Sequence, residues 1–457
     1  MGVRESRLPF HLKLIYGLGD HSVNVALVAL TMIFPFYLTD IVEMRIGLAG
    51  LVPLIGRSID ALSDVFMGRL SDRTRWKAGR RRPYLLIGAL PFALSFAAIW
   101  LVPDIESTAL EFAYYVGIYV MISISMTVVA VPYHALLPEL TDSYDERTSL
   151  ATFRSVSSLF GTLLIALCFR PLVSFFGDER SAWALVGGIF ALWIAWPWLP
   201  IWWVTYEKPS RRSEDELSLR AYLSVFMENK SFRLLLAFFA LGRLAIDLPL
   251  ALFLHYFTYV IGRPDYFAPV MVSFLLAAIF AMPLWLRFAR GRDKSTIYTY
   301  ACAGWVITFV GLFLLQPGWP LWIMLVVGAL SGAGYSAADM MPWSMVADIA
   351  DEDETRSGER REGLYVSAFT FVRKLTGALG VALAFAVLDR VGFEPGVENS
   401  DTVLWAIRGL TAIVPALFIV ISVIFARHYT LGHERHKQII EELRRRRAAR
   451  ATSEASV

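Results

Sequence analysis

Two aspartates, Asp60 and Asp64, stand four residues apart inside an apolar stretch that runs from Gly47 to Met67. An i,i+4 spacing puts both carboxylates on one helical face, and Arg57 falls one turn earlier on roughly the same face. A charged side chain at the centre of a bilayer costs about 2.5–3.5 kcal/mol on insertion scales. Three in one span therefore mark a buried polar pathway. Between two carboxylates the natural occupant is a cation.

That argument needs a membrane, and composition supplies one. Of 457 residues, 56% are hydrophobic and 18% charged, against about 25% charged in a typical soluble protein. The apolar residues fall in blocks of about 20 or more, the length that crosses roughly 30 Å of hydrocarbon. Twelve spans are expected: 12–38, 47–68, 84–103, 110–137, 153–176, 182–204, 231–260, 267–288, 296–315, 320–343, 365–391 and 404–427. The opening MGVRESRLPFHLK shows no compact apolar run ending in a cleavage site, so span one is expected to stay in the mature chain. Its Met-Gly start matches the myristoylation pattern only weakly. Cys168 and Cys302 both fall inside spans, which argues against a disulfide framework or a cysteine metal site.

Lys and Arg concentrate in alternate loops. RLSDRTRWKAGRRRP, after span two, holds seven basic residues and one acid; the loops after spans three and nine hold no base. Arg287, Arg290, Arg292 and Lys294 follow span eight, and the chain ends in an Arg-rich helix-like tail. Basic loops face the cytoplasm, and an even span count puts both termini there as well. A multi-pass protein of the cell membrane is expected. Tyr206 to Ser231 is the longest polar connector, and its stretch SEDELSLRAYLSVFMENK reads as a solvated or interfacial helix. The expected organisation is a six-helix bundle over 1–204, a linker over 205–230, a second bundle over 231–430 and a basic tail over 431–457.

The two halves resemble each other. Pro132 is followed six residues on by Pro138-Glu139, an acidic loop with Arg, and Arg154 entering the next span. Pro342 is followed six residues on by Asp348, an acidic loop with Arg, then Lys374 and Gly377. Self-similarity in fixed order signals duplication. Two six-span repeats describe an all-α major facilitator architecture. After span two, Gly68, Asp72, Arg73, Arg80 and Arg81 resemble that superfamily's signature and are expected to form a cytoplasmic gate, the glycine permitting close helix approach and the charges pairing across it.

Four further segments resemble the glycoside–pentoside–hexuronide:cation symporters. They are Tyr16-Gly17-Leu18-Gly19-Asp20 with Asn24; Gly56-Arg57-Ser58-Ile59-Asp60 through Asp64; Pro132-Tyr133 through Arg154; and Met345-Val346-Ala347-Asp348 through Tyr365 with Lys374. The resemblance runs from about residue 14 to 395. It implies a cation site at Asp60, Ser63, Asp64 and Thr127, with oxygen ligands that suit Na⁺. Ser63 stands where the family often has Asn, leaving Na⁺, Li⁺ and H⁺ less clearly separated. It also implies that Lys374 is the coupling lysine; a membrane-buried ammonium needs a carboxylate, so Asp60 or Asp64 is its expected partner, and Arg57 is a second coupling candidate. At the two sugar-binding carboxylate positions of the melibiose carrier stand Asn24 and Ala130, so melibiose itself is a poor candidate.

Polar and aromatic candidates for the substrate are Asn24, Tyr133, His134, Arg154, Asp247, Asp339 and Trp343. Tyr133 and Trp343 are of the type that stacks on a sugar face. Arg243 and Asp247 read first as a self-neutralised i,i+4 pair, Asp339 has no obvious local partner, and His134 and His255 read first as interhelical hydrogen-bonders. The function expected is Na⁺- or H⁺-coupled symport of a sugar, glycoside or uronide by alternating access, with lysophospholipid symport as the rival on the same fold. No metal-binding or nucleophile pattern points to an enzyme, and no P-loop to ATP-driven pumping. No cofactor beyond the coupling ion and no nucleic-acid partner is expected; membrane lipid is, and a monomer.

Overall fold

The computed structural model describes residues 8–76, 78–141, 143–207, 229–358 and 361–455. Most of the interfacial stretch expected between the halves lies outside these residues, as do Glu359 and Arg360 of the last motif. The described chain is all-helical apart from one isolated bridge pair, Trp76 and Gly79. Eleven helices are long and apolar enough to cross a membrane. They are α1 (Phe10–Asp40), α2 (Ile46–Arg73), α4 (Thr108–Leu140), α5 (Ser149–Phe175), α6 (Arg180–Val204), α7 (Lys230–Val260), α8 (Pro264–Phe288), α9 (Lys294–Leu314), α10 (Leu321–Ser357), α11 (Glu362–Arg390) and α12 (Asp401–Arg427). The twelfth apolar helix, α3 (Arg82–Ala98), has 17 residues, about 26 Å at 1.5 Å per residue and at the short end of what spans. It stops before the expected residue 103 because the chain turns at Trp100 ahead of Pro103, where helical backbone is disfavoured. A polar helix, α13 (His433–Ala455), follows α12.

Lipid-facing surface is written into these helices. Leu192 is 74% exposed, Phe280 72% and Ile307 71%, which water would disfavour and hydrocarbon accepts. The helices also bend for identifiable reasons. Single π-turns at Ala29–Ile33, Ile165–Phe169 and Gly409–Ile413 each precede a proline by two residues, namely Pro35, Pro171 and Pro415. A proline ring clashes with the carbonyl four residues back, and widening the helix at that point relieves the clash.

Two compact units result. One comprises 1–212 with 250–255 and 381–404; the other comprises 213–249, 256–380 and 405–457. The short segments from α7 and α11 join the first unit through specific contacts. Thr39 Oγ1 meets His255 Nε2 at 2.8 Å, and Arg45 grips Asp389 with two bonds of 2.8 Å. Hydropathy alone, which placed the divide in the connector, carries no trace of those contacts.

Candidate functional site

The acidic pair lies within the first unit, on α2 facing α4. Asp60 is buried and Asp64 half-buried. From α4, Thr127 Oγ1 lies 2.9 Å from Asp60 Oδ1 and 3.0 Å from Asp64 Oδ1. Ser63 Oγ reaches the Asp60 carbonyl at 2.9 Å and Thr127 Oγ1 at 3.2 Å. All four residues of the expected cation site therefore converge. α2 and α4 close on each other just above this point because Gly56 has no side chain: a Cβ there would fall 2.0 Å from the Tyr119 ring. One hydroxyl proton at Thr127 serves one carboxylate at a time. The oxygen set is two carboxylates and two hydroxyls, hard donors that suit an alkali cation or a proton. Among the described residues no group of three His, Cys, Asp or Glu side chains is arranged to hold a metal ion.

Arg57, one turn before Asp60, donates to Thr31 Oγ1 at 2.5 Å. Thr31 sits in the π-turn of α1, so the bend ahead of Pro35 presents a partner for the guanidinium. Lys374 is on α11 in the second unit, whereas Asp60 and Asp64 belong to the first.

A second polar cluster forms around Asp20, a residue of the first motif that sequence reasoning quoted but did not nominate. Arg154 engages both Asp20 oxygens, and His134 Nε2 lies 3.1 Å from Asp20 Oδ1. The Arg154 guanidinium also sits 5.3 Å over the Tyr133 ring. Arg154 thus pairs with Asp20 of α1. Asp20 had a signal: it is the sole acid in Phe10–Val28, one turn before Asn24. His134 is the open member, its side chain 47% exposed.

Tyr133 corrects an expectation. It is fully buried, its hydroxyl donates to the Tyr16 carbonyl at 2.6 Å, and Tyr16 donates to the Tyr133 carbonyl at 2.7 Å. Its ring fills the space that a side chain at Gly19 would take. The tyrosine locks α1 to α4 and offers no face to a sugar. Asn24 is likewise engaged, its amide donating to the Ser158 carbonyl at 2.7 Å and to Thr162 Oγ1 at 2.5 Å.

In the second unit, Arg243 and Asp247 form the expected i,i+4 pair, both buried. Asp339 has a partner after all: Arg243 Nη1, 3.1 Å away, from α7. Sequence distance hid that pairing. Trp343 packs edge-on against Phe369 at 4.8 Å between ring centres, and Arg373 lies 5.8 Å over its ring.

Three of the residues expected to form a gate, Asp72, Arg80 and Arg81, make ion pairs inside the first unit. Arg81 donates to Asp72 at 2.6 Å, and Arg80 and Arg81 both engage buried Glu139 at the end of α4. Glu207 accepts from the backbone N–H groups of Arg80, Arg81 and Arg82 at 2.8–2.9 Å, closing the start of α3. Gly68 is not where helices approach closely, because the nearest atom to a Cβ built there is 4.0 Å away. The second unit repeats the arrangement: Lys294 at the start of α9 binds both oxygens of Asp348 near the end of α10, at 2.8 and 2.7 Å.

Comparisons with known proteins place this geometry in a lineage. Residues 15–433 match the family model described as MFS/sugar transport protein. An uncharacterized symporter of Synechocystis is 28% identical, covering 96% of this chain and 97% of that protein. The putative glycoside/cation symporter YagG of Escherichia coli is 26% identical, covering 96% and 95%. The sodium-dependent lysophosphatidylcholine symporter 1-A of Danio rerio is 22% identical, covering 95% and 88%. In fold, the inward-facing, unoccupied structure of a bacterial homologue of the lysosomal transporter Spinster superposes with a TM-score of 0.68 at 14% identity, covering 94% of this chain and 97% of that one. The chain belongs to the MFS/sugar transport protein family, on the glycoside–pentoside–hexuronide:cation symporter branch that its motifs resemble, and is a transporter rather than an enzyme.

Proposed function

We propose that this protein couples inward movement of Na⁺ or H⁺ to symport of a sugar or glycoside, by alternating access in the cell membrane with both termini cytoplasmic. The observation that carries the reading is the convergence of Asp60, Ser63, Asp64 and Thr127 on one point between α2 and α4. Two adjacent carboxylates repel when both are ionised, so a bound cation or proton relieves them. Lys374 is the coupling residue in this reading: an ammonium that competes with the cation for the same carboxylates ties cation occupancy to the position of the other half. Asp20, His134 and Arg154 supply acceptors and donors for substrate hydroxyls in the first unit, and Asp339 and Trp343 do so in the second. The protein acts as a monomer, since each polypeptide holds both halves of the transport path.

Uptake into proteoliposomes, with Na⁺ and pH gradients imposed separately, tests the reading. Accumulation driven by one gradient and lost in Asp64→Asn, with substrate binding retained, is the expected result. Accumulation against a gradient by Asp64→Asn refutes the coupling role. Lysophospholipid symport is the second reading. It is favoured by the zebrafish relative's near full-length match and by Asn24 and Ala130 at the sugar carboxylate positions. Lysophosphatidylcholine uptake under the same gradients distinguishes it.

A further inference from the structure

His255 is a buried titratable group that the acidic pair does not use. Its side chain is 0% exposed, and that of Asp40, the last residue of α1, is 8% exposed. Phe36 of α1, Phe385 of α11 and Phe393 just beyond it put their rings 5.2, 5.7 and 5.8 Å from the imidazole. A charge in so apolar a setting is costly. The packed elements also bring Glu43 and Arg45, ahead of α2, and Asp389 and Arg390, ending α11, to this end of the first unit. Arg45 and Asp389 hold each other, Glu43 faces Arg180 at 3.7 Å, and Arg390 is exposed. The acidic pair is remote: Asp60 lies 14 residues (60 − 46) into α2, about 21 Å along its axis from the Arg45 end.

One hydroxyl joins the imidazole to the carboxylate. Thr39 Oγ1 lies 2.8 Å from His255 Nε2 and 2.6 Å from Asp40 Oδ2. A backbone hydrogen bond to Ala251, one turn back on α7, engages the imidazole as well. Each of these three contacts needs a hydrogen. Thr39 supplies one and a neutral imidazole one, whereas an ionised Asp40 supplies none. The Phe36 and Pro35 carbonyls, 3.1 and 3.3 Å from the same hydroxyl, only add acceptors. One further proton, on Asp40 or on the ring, completes the chain.

We propose that Asp40, Thr39 and His255 form a second proton-binding site, separate from Asp60 and Asp64, and that the bound proton holds this end of α7 against α1. With the proton on Asp40, hydrogen bonds run in one direction from the carboxyl through Thr39 and the imidazole to Ala251. No net charge remains, which a dry pocket favours. Without the proton, an ionised carboxylate is left in that pocket and one contact lacks its hydrogen, so the docking loosens. The contact is therefore strongest at low pH and fades as pH rises. With both termini cytoplasmic, as proposed above, the site answers to external pH.

Hydrogen exchange of the full chain in nanodiscs tests this at segments 34–45 and 250–255, at about pH 5 and about pH 9, corrected for intrinsic rate. Exchange in the unaltered protein is expected to be about tenfold slower at the lower pH. Asp40→Asn, uncharged at every pH and still able to donate to Thr39, is expected to stay slow at both. Thr39→Val, which removes the bridging hydroxyl, is expected to be fast at both. Exchange over α4 in the same spectra separates local release from unfolding of a variant, and either variant decides alone. No pH dependence in the unaltered protein overturns the proposal. So does a pH dependence that survives in Asp40→Asn, or slow exchange at both values in Thr39→Val. The readout needs no transport, so its failure leaves the symport reading standing.

Discussion

Thr127 Oγ1 lies 2.9 Å from Asp60 Oδ1, tying α4 to the most acidic point of α2. The same oxygen is 3.0 Å from Asp64 Oδ1, so a single hydroxyl holds two carboxylates at a common focus. A cation that replaces the hydroxyl proton's role there keeps the geometry and gains two negative ligands. Thr127→Ala removes one ligand and a hydrogen bond to a charged group, worth about 1.5–3 kcal/mol. Cation affinity, read from the concentration dependence of Na⁺- or H⁺-driven uptake, should fall about tenfold or more. Thr127→Ser keeps the oxygen and should stay near the original value.

The Asp20–Arg154 pair makes a different demand. Its side chains are 17% and 20% exposed, so removing the carboxylate strands a guanidinium with little water around it. Breaking such a pair from one side costs about 3 kcal/mol. Asp20→Ala should therefore lower the melting temperature of the purified protein clearly, and Asp20→Ala with Arg154→Ala should recover most of the loss. Equal melting of single and double variants would show that Arg154 finds another partner. Substrate affinity should drop in both, because His134 loses the carboxylate that orients it.

Much of this was legible in the sequence, for reasons that also explain what was not. Asp60, Ser63 and Asp64 lie on one helix, where residue spacing converts directly into a shared face, and a carboxylate in an apolar run declares its own cost. Thr127 came from the family resemblance and the fold set it against them. Asp339 could not be paired from spacing, since its partner Arg243 lies 96 residues away on another helix. Tyr133 was misread because an aromatic beside a proline in a polar-lined span has the same composition whether it faces a cavity or plugs a helix contact. Its role is decided by Gly19, whose missing side chain makes room for the ring.

The C-terminal helix should respond to pH. His436 on α13 lies 3.1 Å from Asp351 and 3.6 Å from Asp348, both on α10, with Lys294 of α9 on the same carboxylate. The hydrogen bond to Asp351 raises the imidazole above its ordinary 6.5; burial opposes the rise, Asp348 adds to it and Lys294 opposes it. A folded-state value above the unfolded one means that the contact contributes fully below about pH 6.5 and fades as pH climbs through the raised value. Amide exchange over 433–446, corrected for intrinsic rate, should be slower near pH 6 than near pH 8. His436→Gln should flatten that difference. Exchange equally slow at both pH values, in the protein and the variant alike, would assign the docking to Arg446, which donates to the Thr355 carbonyl at 2.8 Å.

The repeated acid–base latches look equivalent in sequence and should not be equivalent in energy. Glu139 is buried and holds two guanidinium groups, whose side chains are 21% and 13% exposed. Asp348 is as deeply buried, yet it holds an ammonium 35% exposed that keeps the Ser344 carbonyl, 3.0 Å away, as a second acceptor. Removing the carboxylate charge in Glu139→Gln leaves two confined cations to share Asp72 and Glu207, a loss of about 3 kcal/mol. Lys294 instead swings toward water when Asp348→Asn removes its partner, a loss nearer about 1 kcal/mol after screening. Melting temperatures of the two variants should rank in that order. A larger effect at Asp348 would mean that its role as an acceptor for His436 and α13 outweighs the pair it forms with Lys294.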